Sequence, residues 1–182
     1  MILLFGPVGA GKSVQGEKLA KRNGWRWLST GQMFRASEDP EVKRVLAAGE
    51  LIDDQTTFGV VEEAFGHEKT AERIVLDGFP RTTAQAEWLI SDEQALGRKV
   101  ALVVVLEVPL YVIQERLAGR GRDEDTPDKI ARRMQIYHQQ TDPILQYFAD
   151  QNIDVAQIDG TGSIDEIHER IVAALQARGL ME

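Results

Sequence analysis

Gly6-Pro7-Val8-Gly9-Ala10-Gly11-Lys12-Ser13 satisfies the pattern G-x-x-x-x-G-K-[ST], and an apolar run, Ile2 to Phe5, stands directly before it. Glycines at these spacings let successive backbone N–H groups turn inward around phosphate oxygens. The helix that follows adds partial positive charge at its N-terminus, and Lys12 brings a point charge to the β and γ phosphates. Ser13 can offer its hydroxyl to magnesium. A glycine-rich turn with a surface lysine is the plain alternative, and the full match in a strand–loop–helix setting argues against it. The loop alone points to a nucleotide without choosing a reaction.

Other chemistry is excluded by composition. No cysteine is present, so thiolate nucleophiles, disulfides and thiolate zinc sites are ruled out, and a reducing cytoplasm suits the chain. His67, His138 and His168 have no metal-ligand spacing and read as surface or half-buried residues. The 182 residues carry 21 Lys and Arg against 29 Asp and Glu, a net charge of −8. That balance disfavours nucleic acid and anionic membrane as partners, so an anionic ligand must be held by a local cluster of cations.

The elements that must position such a cluster alternate along one domain. Ile2–Phe5, Trp25–Leu28, Ile74–Leu76, Val100–Leu106 and Val155–Ile158 read as strands. Helices are predicted over Lys12–Arg22, Gly31–Ser37, Pro40–Ala48, Gln55–Phe65, Thr83–Glu93, Leu110–Ala118, Pro127–Asp150 and Ser163–Arg178. This is the pattern of an α/β fold, a parallel sheet covered on both faces. Pro143 predicts a break or bend near Thr141-Asp142. Met1–Phe5 is too short for the apolar core of a signal peptide, and Val100–Leu106 is far below the roughly 20 residues that span a bilayer. Gly119 to Pro127 combines glycine, charge and proline between two helices and reads as a mobile loop.

Three further segments, read with the phosphate loop, carry a resemblance. They are Ser29-Thr30-Gly31-Gln32-Met33-Phe34-Arg35, Leu76-Asp77-Gly78-Phe79-Pro80-Arg81-Thr82, and the arginines 116, 120, 122 and 133. In order and spacing these resemble the nucleoside monophosphate kinases, most closely adenylate kinases with a short lid, from the first strand to the last helix. The resemblance implies a P-loop kinase fold with strand order 2-3-1-4-5. It also implies one domain over 1–182, with an acceptor-binding insert about 29–58 and a lid about 119–127. The implied reaction is magnesium-dependent transfer, ATP + AMP = 2 ADP, by a cytoplasmic monomer without zinc.

By the same resemblance, Gly9, Ala10, Gly11, Lys12, Ser13, Val14, Arg116 and Arg120 hold ATP, Arg116 by stacking on its adenine. Thr30, Arg35, Ile52, Gly78, Arg81, Gln85, Arg122 and Arg133 serve AMP; Arg35 and Arg81 grip its phosphate, while Thr30 and Gln85 face its base. Lys12, Arg81, Arg120, Arg122 and Arg133 surround the transferred group, and Ser13 and Asp77 serve the magnesium, Asp77 through water. Glu124 and Asp125 could pair with Arg120 and Arg122 in one state of the lid. Arg132, Arg22, Arg44, Arg98 and Arg178 read as solvated or ion-paired.

Two stretches differ from the family. Gln32 stands where it usually carries aspartate, and Ser13-Val14 where it commonly has glycine then threonine, so the hydroxyl is moved one place along. A kinase for another monophosphate, or a nucleotide-binding regulatory protein with little transfer, stays open at this point. Phosphoryl transfer to an acceptor that is already anionic needs no general base, which suits a set built of cations.

Overall fold

Every residue of Ile2–Phe5 (β1) and Ile74–Asp77 (β3) is buried, as are the first five of Leu102–Glu107 (β4). That is the signature of parallel strands covered on both faces. In the computed structural model, which describes residues 1–66, 74–96, 99–119, 122 and 125–181, they form the centre of a five-stranded sheet. Arg26–Ser29 (β2) and Val155–Asp159 (β5) are its edges, and both mix buried with exposed residues. The order is β2-β3-β1-β4-β5 with all neighbours parallel, as expected. Arg120, Gly121 and Glu124 of the expected lid, together with His67 and Arg98, lie outside the described residues.

The helices are α1 (Lys12–Asn23), α2 (Thr30–Ala36), α3 (Pro40–Ala48), α4 (Asp54–Phe65), α5 (Thr83–Leu96), α6 (Leu110–Ala118), α7 (Pro127–Asp150) and α8 (Ile164–Gln176). Their ends differ from the sequence reading by a few residues. Side chains alternate across β1: Leu3 and Phe5 pack with Val61, Phe65, Leu89, Ile144 and Phe148 on one face of the sheet. Ile2 and Leu4 pack with Leu19, Ile167, Ile171 and Leu175 on the other. Two small clusters sit at the sheet's C-terminal edge. Val8 with Ile113 and Leu117 seats the phosphate loop on α6, and Phe34, Val42 and Ile52 join α2 and α3 to the chain before α4. The loop after β1 leaves from between β3 and β4, where the chain's order across the sheet reverses and where such sheets open a crevice for ligands.

The break expected near Thr141-Asp142 is absent: α7 runs through Pro143 without interruption. Proline within a helix costs about 3 kcal/mol through its missing N–H and its clash with the preceding turn. Ile144 and Phe148, just beyond it, are 1% and 0% exposed in the core. Each contributes about 1.5–3 kcal/mol by burial, enough together to offset the proline.

His168 is a second departure. It is 1% exposed, on the face of α8 turned toward α1, and neither ring nitrogen has a hydrogen-bond partner. Two ion pairs join the helices beside it, Lys18 with Asp165 and Arg22 with Glu169. Burial, with the charges of Lys18 and Arg22 acting the same way, lowers its pKa; Glu169 and Asp165 act against the shift more weakly. The folded chain therefore resists a proton that the unfolded chain accepts near the ordinary histidine value of about 6.5. Stability is expected to fall as pH drops below that value, and His168→Leu should flatten the dependence. Thermal melting of both proteins between neutral and mildly acid pH checks this, and parallel curves would refute it.

Candidate functional site

Gly11 opens α1 in a left-handed conformation (φ 94°), which an L side chain rarely adopts and which lets the loop fold back on itself. Lys12 Nζ donates to the carbonyls of Gly6, at 2.6 Å, and Pro7, at 2.8 Å, so the cation lies across the loop. Ser13 Oγ donates to Asp77 Oδ2 at 2.6 Å, joining the first turn of α1 to the end of β3. Val14 is 47% exposed and lies on a cavity wall. A buried carboxylate beside a hydroxyl at the end of a phosphate loop is an oxygen donor set of the kind magnesium takes.

Ser29 also reaches Asp77. It lies opposite Asp77 in the parallel register of β2 and β3, and its hydroxyl donates to the same Oδ2 at 3.2 Å. Ser29 occupies the N-cap of α2, where serine commonly accepts a bond from the helix, yet its side chain makes no cap bond there.

Two cavities open beside this junction. The first is lined by Phe34, Arg35, Ile52, Gly78, Arg81 and Gln85, with Tyr137, Gln140 and Thr141 from α7. The second is lined by residues 8–15, Asp77, Arg116, Arg122 and the turn 162–164. Lys12, Arg35, Arg81 and Arg133 belong to the walls of both. Four cations thus stand at the place where two compartments meet.

The first cavity's cations are held by backbone geometry. Arg35 folds back over Gly31, where a Cβ would come within 3.3 Å of its Nη1. Arg81 Nε donates to Gly78 O at 2.8 Å. Arg81 is exposed to the cleft but crowded by its walls; that crowding lowers its pKa, and the charge of Asp77 works in the opposite direction. Thr30 lies behind the wall, 1% exposed, with its hydroxyl donating to Gly78 O at 2.8 Å. Gln85, 2% exposed, accepts at Oε1 from Arg81 N–H and donates from Nε2 to Asp54 Oδ1, both at 2.7 Å. Ile52, 7% exposed, adds an apolar surface.

In the second cavity Arg116 donates to Ala10 O at 3.3 Å and to Gly160 O at 2.8 Å, tying the phosphate loop to the turn after β5. Arg170 on α8 fastens that turn from behind through Asp159 O and Thr161 O. Arg122 lines the cavity and is exposed. Asp125 pairs with Arg133 at 3.3 Å and, through its backbone N–H, with Arg122 O. Its carboxylate thus reaches an arginine at the start of α7. Arg132, by contrast, reaches Glu50 at 3.9 Å, and Arg22, Arg44 and Arg178 are ion-paired at the surface. Gln32 is exposed on α2.

The contacts of Ser29 with Asp77, of Asp54 with Gln85 and of the turn at 160–162 with Arg116 are not spelled out by any motif. The strand register carries a signal for the first, since β2 and β3 end level with each other. Asp54 has none, because its partner lies 31 positions away on another helix.

The family model for adenylate kinases matches residues 4–153. The adenylate kinase of Mycobacterium tuberculosis is 37% identical over 180 residues, covering 96% of this chain and 98% of the relative. That of Mycobacteroides abscessus is 38% identical over 180 residues with the same coverage. That of Xylella fastidiosa is 35% identical over 184 residues, covering 96% of this chain and 98% of its own.

Gly78 holds the most demanding backbone position among these walls. Its φ is +83°, and a Cβ there would meet Thr30 Oγ1 at 2.7 Å and Arg81 Nη2 at 3.1 Å. Gly78→Ala is expected to lose about 1–2 kcal/mol of stability from the backbone alone. By displacing Arg81 it should also weaken the binding of an anionic ligand in the first cavity. Denaturant unfolding and calorimetry measure the two effects, and unchanged values for both would contradict this account of the turn.

Proposed function

The chain belongs to the adenylate kinase family, a group of phosphotransferases catalysing ATP + AMP = 2 ADP, and we propose that it performs this transfer across the cationic wall shared by its two cavities. The observation that carries the reading is the membership of Lys12, Arg35, Arg81 and Arg133 in both walls. ATP occupies the cavity beside the phosphate loop, with Gly9 to Val14 around its phosphates and its base between Arg116 and the turn at 160–162. AMP occupies the other, its phosphate on Arg35 and Arg81 and its base against Ile52 and Gln85. Thr30 acts from behind, by holding Gly78.

Two phosphate chains placed end to end repel each other, and their repulsion grows as water leaves. Fixed cations between them offset it and stabilise the charge that spreads over the moving phosphoryl group. Lys12 exchanges the carbonyls of Gly6 and Pro7 for phosphate oxygens. Arg81 and Arg133 hold the oxygens of donor and acceptor in line, and Arg122 with Arg120 closes from the lid over 119–127. The acceptor phosphate is already anionic near neutral pH, so no side chain must remove its proton. Closure of the lid and of the insert over 29–58 keeps water from competing for the γ-phosphoryl group. Ser13 and Asp77 would hold magnesium, which would supply charge neutralisation for the phosphates. The absence of cysteine suits a cytoplasmic setting, and the net charge of −8 favours free nucleotides over polyanionic partners.

A coupled assay with ATP and each of AMP, GMP, CMP and UMP tests the reading, with AMP expected to be the preferred acceptor; no transfer to any of them overturns it. Lys12→Met should lower kcat by about 100-fold or more while the fold survives. Arg81→Ala should raise KM for AMP and lower kcat with little change in KM for ATP. Impairment confined to ATP would mean that the two cavities are assigned the wrong way round.

A further inference from the structure

A side-chain amide is ambidextrous: rotated by half a turn, it exchanges its donor and its acceptor. Gln85 alone therefore does not distinguish a base edge carrying an acceptor at N1 and a donor at position 6, as in adenine, from the reversed edge of hypoxanthine. Its surroundings remove the ambiguity. Arg81 N–H, which can only donate, faces Oε1, and the carboxylate of Asp54, which accepts, faces Nε2. Thr82 completes a consistent ring: its hydroxyl donates to Asp54 Oδ1 at 3.0 Å and accepts from Gln85 N–H at 3.2 Å. Turning the amide over would set Oε1 against the carboxylate and NH₂ against an N–H. Both bonds would be lost in a side chain only 2% exposed.

We propose that Asp54 is a specificity-determining residue of the acceptor cavity, one that positions the Gln85 amide so that only an adenine-type edge is matched. This rests on the reading that Gln85 faces the acceptor base. One N–H of Nε2 and one lone pair of Oε1 remain for the ligand, in an order that the protein fixes before binding. A reversed base edge must either leave its own groups unpaired or turn the amide against Asp54. Asp54 touches no part of the ligand in this scheme; it acts by making the turned amide costly.

The test compares kcat/KM for AMP and IMP at saturating MgATP in the full chain, because the two nucleotides differ only at that edge. The unmutated protein is expected to favour AMP. Asp54→Ala, at a partly exposed first-turn position of α4 that tolerates alanine, should lower the AMP/IMP ratio about tenfold, the worth of one charge-assisted hydrogen bond. KM for ATP should stay unchanged. Asp54→Asn, whose side-chain oxygen is kept toward Gln85 by the donating hydroxyl of Thr82, should keep the ratio within about threefold of the unmutated value. Gln85→Leu should lower the ratio, and adding Asp54→Ala to it should change nothing further. If Gln85→Leu lowers the ratio while Asp54→Ala leaves it intact, the role of Asp54 is refuted and the placement of Gln85 survives. Should Gln85→Leu leave the ratio intact, the placement itself fails. An equal loss in Asp54→Asn and Asp54→Ala also overturns the proposal.

Discussion

Mutual repulsion between two phosphate chains is the constraint to which this architecture answers. A chain with a net charge of −8 is a poor environment for two more anions unless cations are concentrated at one place and kept from neutralising one another's partners. The sheet supplies that place. All five strands are parallel, so their C-terminal ends lie on one edge, and the segments that follow β1, β2 and β3 deliver Lys12 at the start of α1, Arg35 on α2 and Arg81 before α5 to the same crevice. The 24-residue helix α7, rooted in the core, adds Arg133.

Backbone oxygens take part in orienting several of these cations. Lys12 lies on Gly6 O and Pro7 O, Arg81 on Gly78 O, and Arg116 on Ala10 O and Gly160 O. A carbonyl fixes a guanidinium or ammonium group without cancelling its charge, which leaves that charge available for phosphate. Where a carboxylate does enter, as Asp125 does toward Arg133, it comes from the loop that borders the second cavity. Inside the site two hydroxyls from different elements converge on one oxygen of Asp77.

Much of this could be read in the sequence, for identifiable reasons. Unbroken apolar runs can satisfy only a doubly covered strand, so β1, β3 and β4 were legible, and the phosphate loop requires its glycines and lysine at fixed spacing. Gln85, Arg35 and Arg81, named by resemblance, line the first cavity. What escaped was whatever depends on register or on packing between distant segments: Ser29 opposite Asp77, Asp54 beneath Gln85, Thr30 behind Gly78. His168 sat in plain view on the apolar stripe of Ile164, Ile167, Ile171 and Leu175, but its residue type suggested a more exposed place. Pro143 misled in the other direction, because local backbone preference lost to the burial of Ile144 and Phe148.

The continuity of α7 has a mechanical meaning. At about 1.5 Å per residue, its 24 residues make a rod of roughly 36 Å, embedded at one end by Phe148 and carrying Arg133 near the other. A charge borne on a loop must be ordered afresh at each encounter with substrate, at about 1–2 kcal/mol for every residue immobilised. On a cantilever rooted in the core, that entropy is surrendered once, when the chain folds.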